Sequence, residues 1–151
     1  MSALDEAIAQ AATLCRHFEG FRSRPYICPA GYPTIGYGTV YKPDGSKVTM
    51  EHPPITKSEA DDWLVQELRH NYAVGVLKAS PALVTSPGAL AAMIDFAYNL
   101  GVGRYRGSTL RRKINDGDWV GAKDELGKWV RGGGKVLPGL VRRRAAEAAI
   151  F

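Results

Sequence analysis

The sequence has little cysteine and histidine and no long apolar stretch. Two cysteines in 151 residues cannot build a disulfide-dense scaffold. His17, His52 and His70 are scattered, no His-Glu-x-x-His pattern occurs, and Cys15 and Cys28 lack a second pair at zinc spacing. Neither a metal nor an organic cofactor is expected. No apolar run approaches bilayer-spanning length. The opening Met-Ser-Ala-Leu-Asp-Glu carries acids where a secretory signal is basic and then apolar. The expectation is therefore a chain made soluble in the cytoplasm. Internal repeats, low-complexity tracts and long linkers are also missing, which argues against fibrous and repeat architectures.

What is there suits one domain spanning residues 1–151. With 45% hydrophobic and 23% charged residues the chain is ordinary for a globular protein, and its length can bury a core without staples. The charge is uneven. Residues 1–100 hold 8 Lys+Arg against 10 Asp+Glu, whereas residues 101–151 hold 12 against 5, or +7. A basic half suits nucleic acid, anionic lipid or an acidic polymer such as bacterial cell wall; the alternative is a solvated face without a specific partner.

Ser2 with Asp5 makes a capping box, apolar residues from Leu4 to Phe18 recur at helical spacing, and Gly20 suits the residue after a helix end. A helix over about Ala3–Glu19 follows. From Arg24 to Met50 the texture is Pro, Gly, Tyr, Thr, Val and Ile, with turn signals at Pro29-Ala30-Gly31 and Pro43-Asp44-Gly45. Thr34–Tyr41 reads as a strand, and three short strands in one small sheet are expected. After Thr56, with its capping partner Glu59, the chain turns helical: Leu64, Leu68, Tyr72 and Val76 form a stripe. Ser86-Pro87 starts another helix and Gly101 ends it, Ser108 and Asp118 are N-caps, and a last helix covers about Leu137–Ile150. Gly132-Gly133-Gly134-Lys135 faintly resembles a phosphate loop, but Val136 stands where Ser or Thr would hold magnesium; it reads as a flexible interhelical turn. Asn99-Leu100-Gly101-Val102-Gly103 reads as a helix end and loop rather than a DNA-binding hairpin.

Glu19 carries the chemistry. A carboxyl in the last turn of a helix faces the negative end of the macrodipole, and partial burial under a β-lobe would disfavour its ionisation further. A carboxyl that keeps its proton near neutrality is what a general acid needs. Eight residues separate Glu19 from Cys28, and five separate Cys28 from Thr34. This Glu-x8-[Asp/Cys]-x5-Thr spacing is similar to that of the phage-type lysozymes, glycoside hydrolase family 24. Phe18-Glu19-Gly20-Phe21, Gly31–Gly38, Phe96–Gly101, Gly133–Leu140 and Val141–Glu147 resemble family segments as well, so the likeness runs along nearly the whole chain.

The resemblance implies an α+β, lysozyme-like fold: a small three-stranded β-lobe over about residues 21–52, a larger helical lobe from residues 1–20 and 55–151, and a cleft between them. It implies cleavage of the β-1,4 link between N-acetylmuramic acid and N-acetylglucosamine in bacterial peptidoglycan, as a phage or prophage endolysin. Glu19 would be the acid, and Thr34 would orient the attacking water. Cys28 departs from the commoner Asp; an unperturbed thiol is mostly protonated at neutral pH, and Arg22 or Arg24 could lower its pKa. A thiolate or hydrogen-bonded thiol assisting the water is the preferred role, and a covalent glycosyl-thioether the alternative. For Cys15 two readings stand: a buried structural residue, or a regulatory disulfide with Cys28.

Asn99 and Arg143 are the candidates for substrate contact or support, with Arg143 pairing with Glu19 by resemblance. The Arg142-Arg143-Arg144 run is either solvated or engages anionic outer-membrane lipid. A monomer is expected, acting in the periplasm after holin-dependent release from the host cytoplasm. The rival readings are a lytic transglycosylase on the same bond and a basic nucleic-acid-binding module, which leaves the Glu19/Cys28/Thr34 spacing unexplained.

Overall fold

The computed structural model describes all of residues 1–151. Helix α1 spans Ala3–Glu19, with the Ser2/Asp5 capping box formed at its start. Its buried side chains, Ala7, Ile8, Ala11, Ala12 and Cys15, lie against helix α4, Pro87–Leu100. Helix α4 is buried along nine consecutive positions from Ala89 to Ala97 and forms the axis of the core. Its neighbours are α1, the helices on either side of it and the last helix, α8, Pro138–Ala149. Proline occupies the first turn of both α4 and α8, where its missing N–H leaves no hydrogen bond unmade.

The β-lobe is smaller than the sequence predicts. Strands β1, Arg22–Ile27, and β2, Pro33–Gly36, pair antiparallel, with Tyr26 opposite Thr34 and an irregularity between Arg22 and Tyr26. No third strand joins them; Ile35–Thr39 and Tyr41–Lys47 are single bridges. The reason is local. Gly36 and Gly38 adopt φ of 68° and 90°, so the backbone turns twice where residue propensity alone would continue the strand.

Beyond the capping box of Thr56 and Glu59, α2, Lys57–Glu67, runs without a break through a π-helical stretch, Leu68–Ala73, into α3, Val74–Ala79. An apolar stripe at four-residue spacing drifts about 40° per step around an α-helix, because each turn takes only 3.6 residues. A wider turn corrects that drift, and Leu64, Leu68 and Val76 are all buried, with Tyr72 packed at the core's edge. Short helices α5, Val102–Arg106, α6, Thr109–Asn115, and α7, Trp119–Leu126, complete the body. Ser108 and Asp118 cap α6 and α7 through side-chain oxygens 3.0 and 2.9 Å from backbone N–H groups.

The glycine run is not a flexible interhelical turn. Arg131–Gly132 and Lys135–Val136 pair as strands β3 and β4. Gly133 and Gly134, at φ 58° and 80°, make the two-residue turn that such a hairpin requires. No helix of the protein is long and apolar enough to cross a membrane.

Candidate active site

Glu19 is the last residue of α1, and Gly20, at φ 74°, turns the chain away into β1. The Glu19 side chain is one-quarter exposed, and its Oε2 accepts a hydrogen bond from Arg143 Nη1 at 2.6 Å. Arg143 lies on α8 and is 5% exposed. Its remaining edge faces Asp95 of α4: Nε donates to Asp95 Oδ2 at 2.9 Å and Nη2 to Oδ1 at 2.8 Å. One guanidinium thus joins three helices, with its Cζ 5.5 Å from the centre of the Phe18 ring.

Two hollows meet at Glu19 and Asn99. One, of about 440 Å³, is lined by Tyr32, Gly38, Val40, Tyr41, Glu67, Tyr72 and Tyr98 besides those two residues. The other, of about 490 Å³, runs past His17, Leu137, Leu140 and Arg142. The first is a cleft between the β-lobe and the helical body; the second continues it between α1, α4 and α8, and Glu19 lines both. Gly38 brings the β-lobe backbone close: a Cβ there would stand 3.2 Å from Tyr98 Oη and 3.5 Å from Glu19 Oε1. The Tyr98 hydroxyl donates to the Tyr37 carbonyl at 2.6 Å and ties the lobe to α4. Asn99 Oδ1 accepts from Arg144 Nη2 at 2.8 Å, which fixes the amide at the rim.

Cys28 and Thr34 form a second group. Cys28 follows β1 and Thr34 lies in β2, and both bond to Tyr32: Cys28 N–H donates to its carbonyl at 3.0 Å and Thr34 Oγ1 at 2.9 Å. Thr34 is buried, so its hydroxyl is held in place with its proton on Tyr32. That hydroxyl also neighbours the Cys28 sulfur, and it can turn its proton to a thiolate. With the backbone N–H groups of Tyr32, Ala30 and Gly31 it brings the Cys28 thiol below its usual pKa. The arginines expected to do this are elsewhere: Arg22 lies over the Tyr26 ring, 4.4 Å from its centre, and Arg24 is exposed.

The structure thus brings Glu19, Asn99 and Arg143 together on the helical wall, and pairs Cys28 with Thr34 on the β-lobe. Tyr32 touches the second group and lines the hollow of the first. Tyr26 is the other link, since its hydroxyl feels the charges of both Glu19 and Cys28.

Both cysteines are free. Cys15 is fully buried, donates its thiol proton to Asp95 Oδ1 at 3.2 Å, and is pushed well above the ordinary thiol pKa by burial and then by the Asp95 charge. The structural reading of Cys15 holds here, and no Cys15–Cys28 disulfide is present. The arginine run is not a basic surface. Arg143 and Arg144 are buried, Arg144 beside Glu147 at 2.8 Å, and only Arg142 is exposed. A three-arginine membrane contact is therefore not on offer.

Two acids escaped the sequence reading. Glu67 lines the Glu19 hollow; burial, with the Glu19 charge adding to it, pushes its carboxyl up to about pKa 7, and Oε1 is buried without a hydrogen-bond partner. Asp95 is the other. A lone acid within the apolar run of α4 was the available signal, since a buried carboxylate requires a partner.

The family model described as "Phage lysozyme" matches residues 16–147. An endolysin of Bacillus phage PZA is 37% identical over 147 residues, which is 95% of this chain and 54% of that protein. A SAR-endolysin of Enterobacteria phage P21 is 48% identical over 134 residues, covering 87% of this chain and 76% of the relative. The chain spans about half the length of the Bacillus phage relatives it matches. Among solved structures, a P22 lysozyme mutant superposes with a TM-score of 0.75 at 25% identity, over 94% of this chain and 95% of that one.

Proposed function

This chain belongs to the phage lysozyme family, and on that premise we propose that it is a peptidoglycan hydrolase of the endolysin kind, a muramidase that breaks the β-1,4 link between N-acetylmuramic acid and N-acetylglucosamine. The observation that carries the reading is the placement of Glu19. A carboxyl stands on the floor of a cleft between two lobes, gripped by a single N–H of a buried guanidinium. That suits a group that must give a proton to a leaving oxygen and then carry charge.

In this reading Glu19 protonates the glycosidic oxygen, and the resulting carboxylate is received by Arg143. Water, oriented by the Thr34 hydroxyl, attacks the anomeric carbon from the β-lobe side and passes its proton to the Cys28 thiolate. The sulfur fills the place of the second carboxylate that such enzymes use. Its lowered pKa, set by Thr34 and the neighbouring backbone N–H groups, supports the role of base. Asn99 contacts the glycan at the rim. The residues work within one domain spanning 1–151, and the substrate is the bacterial wall. Delivery from the host cytoplasm through a holin-type pore completes the proposal; lysis of intact cells would then require the pore.

The test is turbidity clearance of purified Gram-negative peptidoglycan by wild type, Glu19→Gln and Cys28→Ala, each checked for folding, with mass analysis of the products. Clearance by wild type with products one water heavier, lost in Glu19→Gln, supports the reading. Folded wild type that clears nothing overturns it.

A further inference from the structure

Arg143 has three nitrogens that carry N–H and gives two of them, along one edge, to a single partner. Asp95, fully buried, takes Nε at 2.9 Å and Nη2 at 2.8 Å; only Nη1 is left for Glu19. Asp95 also accepts the Cys15 thiol at 3.2 Å, and Cys15 lies one helical turn before Glu19 on α1. The carboxylate is thus braced from two sides.

Charge bookkeeping gives this arrangement a function. A buried guanidinium cannot release its proton. Facing Glu19 alone it would present a full positive charge to the carboxyl and favour the ionised form, which is the wrong state for a proton donor. Asp95 supplies the cancelling charge. Burial pushes the Asp95 carboxyl up, but the Arg143 bonds and those of Glu147 and Cys15 outweigh it and hold Asp95 ionised. Glu147, on α8 and fully buried, is pushed well up by burial and then by its bond to Asp95, while the Arg144 guanidinium at 2.8 Å pulls it the other way and pairs with it.

We propose that Asp95 is the positioning residue of this site: by holding Nε and Nη2 of Arg143 it presents Nη1 to Glu19, and by offsetting the guanidinium charge it lowers the net positive charge that Glu19 meets. The inference rests on the muramidase reading. The other titratable groups whose charges bear on Glu19 or its cluster are Cys15 on its own helix, Arg144 beside Arg143 on α8, Glu67 and Tyr72 from the α2–α3 helix, Tyr98 from α4 and Tyr26 from β1. Burial holds Tyr72 and Tyr98 neutral at working pH, and Glu67 is left unsubstituted in every variant below.

The experiment is the pH profile of kcat and KM for wild type, Asp95→Asn and the double variant Asp95→Asn/Arg143→Gln on purified peptidoglycan. In Asp95→Asn the guanidinium is uncompensated. The alkaline limb of kcat should move about one pH unit lower, kcat at neutral pH should fall about 10- to 100-fold, and KM should change less than about twofold. In the double variant the charge balance returns. The alkaline limb should return toward its wild-type position while kcat stays low, because nothing then grips Glu19. A merely structural Asp95 would lower stability without moving the limb, and that result overturns the inference. So does a limb that stays displaced in the double variant. Should Asp95→Asn fail to fold, Arg143→Lys is read instead: one ammonium cannot span both carboxylates, and kcat should fall at unchanged KM. Unchanged kcat in that variant also overturns the inference. Inert wild type removes the muramidase reading itself, whereas active wild type with an unmoved limb removes only this inference.

Discussion

Arg143 Nη1 lies 2.6 Å from Glu19 Oε2, and the two residues are 124 positions apart in the chain. The contact joins the end of the first helix to the last helix across the cleft floor. Removing either partner leaves a group without its match.

Arg143→Ala should therefore be costly twice. It strands the fully buried Asp95 carboxylate, for which about 3–5 kcal/mol of stability is the expected loss, and it frees Glu19. Urea denaturation measures the first effect. Clearance at a temperature where the variant is still folded measures the second, with activity down about 100-fold. A variant as stable as wild type would contradict the geometry.

Glu67 makes stability depend on pH with a definite sign. Its folded pKa of about 7 lies above the ordinary carboxyl value of 4.5. Between these values the folded state binds more protons than the unfolded state, so stability falls as pH rises from about 4.5 to 7. The loss is on the order of 3 kcal/mol at most. Glu67→Gln cannot ionise, and its stability should stay flatter across the same window. Urea melts at pH 5, 6 and 7.5 decide the matter; parallel profiles for the two proteins would refute it.

Gly38→Ala tests how closely the lobes meet. At φ 90° a side chain is strained, by about 1–2 kcal/mol. Its methyl would also stand 3.2 Å from Tyr98 Oη and 3.5 Å from Glu19 Oε1. The expected result is a modest loss of stability and a larger loss of kcat. Wild-type kcat would show that the cleft floor yields freely.

The two thiols should behave differently towards a thiol reagent such as Ellman's. Cys28 is partly exposed with a lowered pKa, and Cys15 is buried with a raised one. One equivalent should react in the native protein and two in denaturant. Thr34→Val should slow the native reaction by removing the hydroxyl that favours the thiolate. If both thiols react natively, the buried Cys15–Asp95 contact is not maintained in solution.

Legibility in the sequence followed the range of the physics involved. The limits of α1 could be read because Ser2, Asp5 and Gly20 act on their immediate neighbours. The same holds for the capped starts at Thr56, Ser108 and Asp118. The strand expected over Thr34–Tyr41 ends at Gly36: Thr39, Val40 and Tyr41 have strand propensity, while the turns that interrupt them depend on Gly36 and Gly38 adopting positive φ. Gly133 and Gly134 posed the converse problem: two glycines fit a loose loop or a tight hairpin, and pairing between Arg131 and Val136 decides between them. Spacing picked out Glu19, Cys28 and Thr34 and the resemblance gave them their candidate roles, but which arginine of the run faces Glu19 came from resemblance alone. Asp95 stayed hidden because helical periodicity marks where apolar residues go and is silent on a single charge among them.

The guanidinium that grips Glu19 is carried by a residue close to the end of the described chain, while Glu19 itself belongs to the first helix. During synthesis the acid leaves the ribosome long before Arg143 exists. The cleft floor can close only after α8 has docked against α1 and α4, which makes assembly of the helical body the step that arms the site.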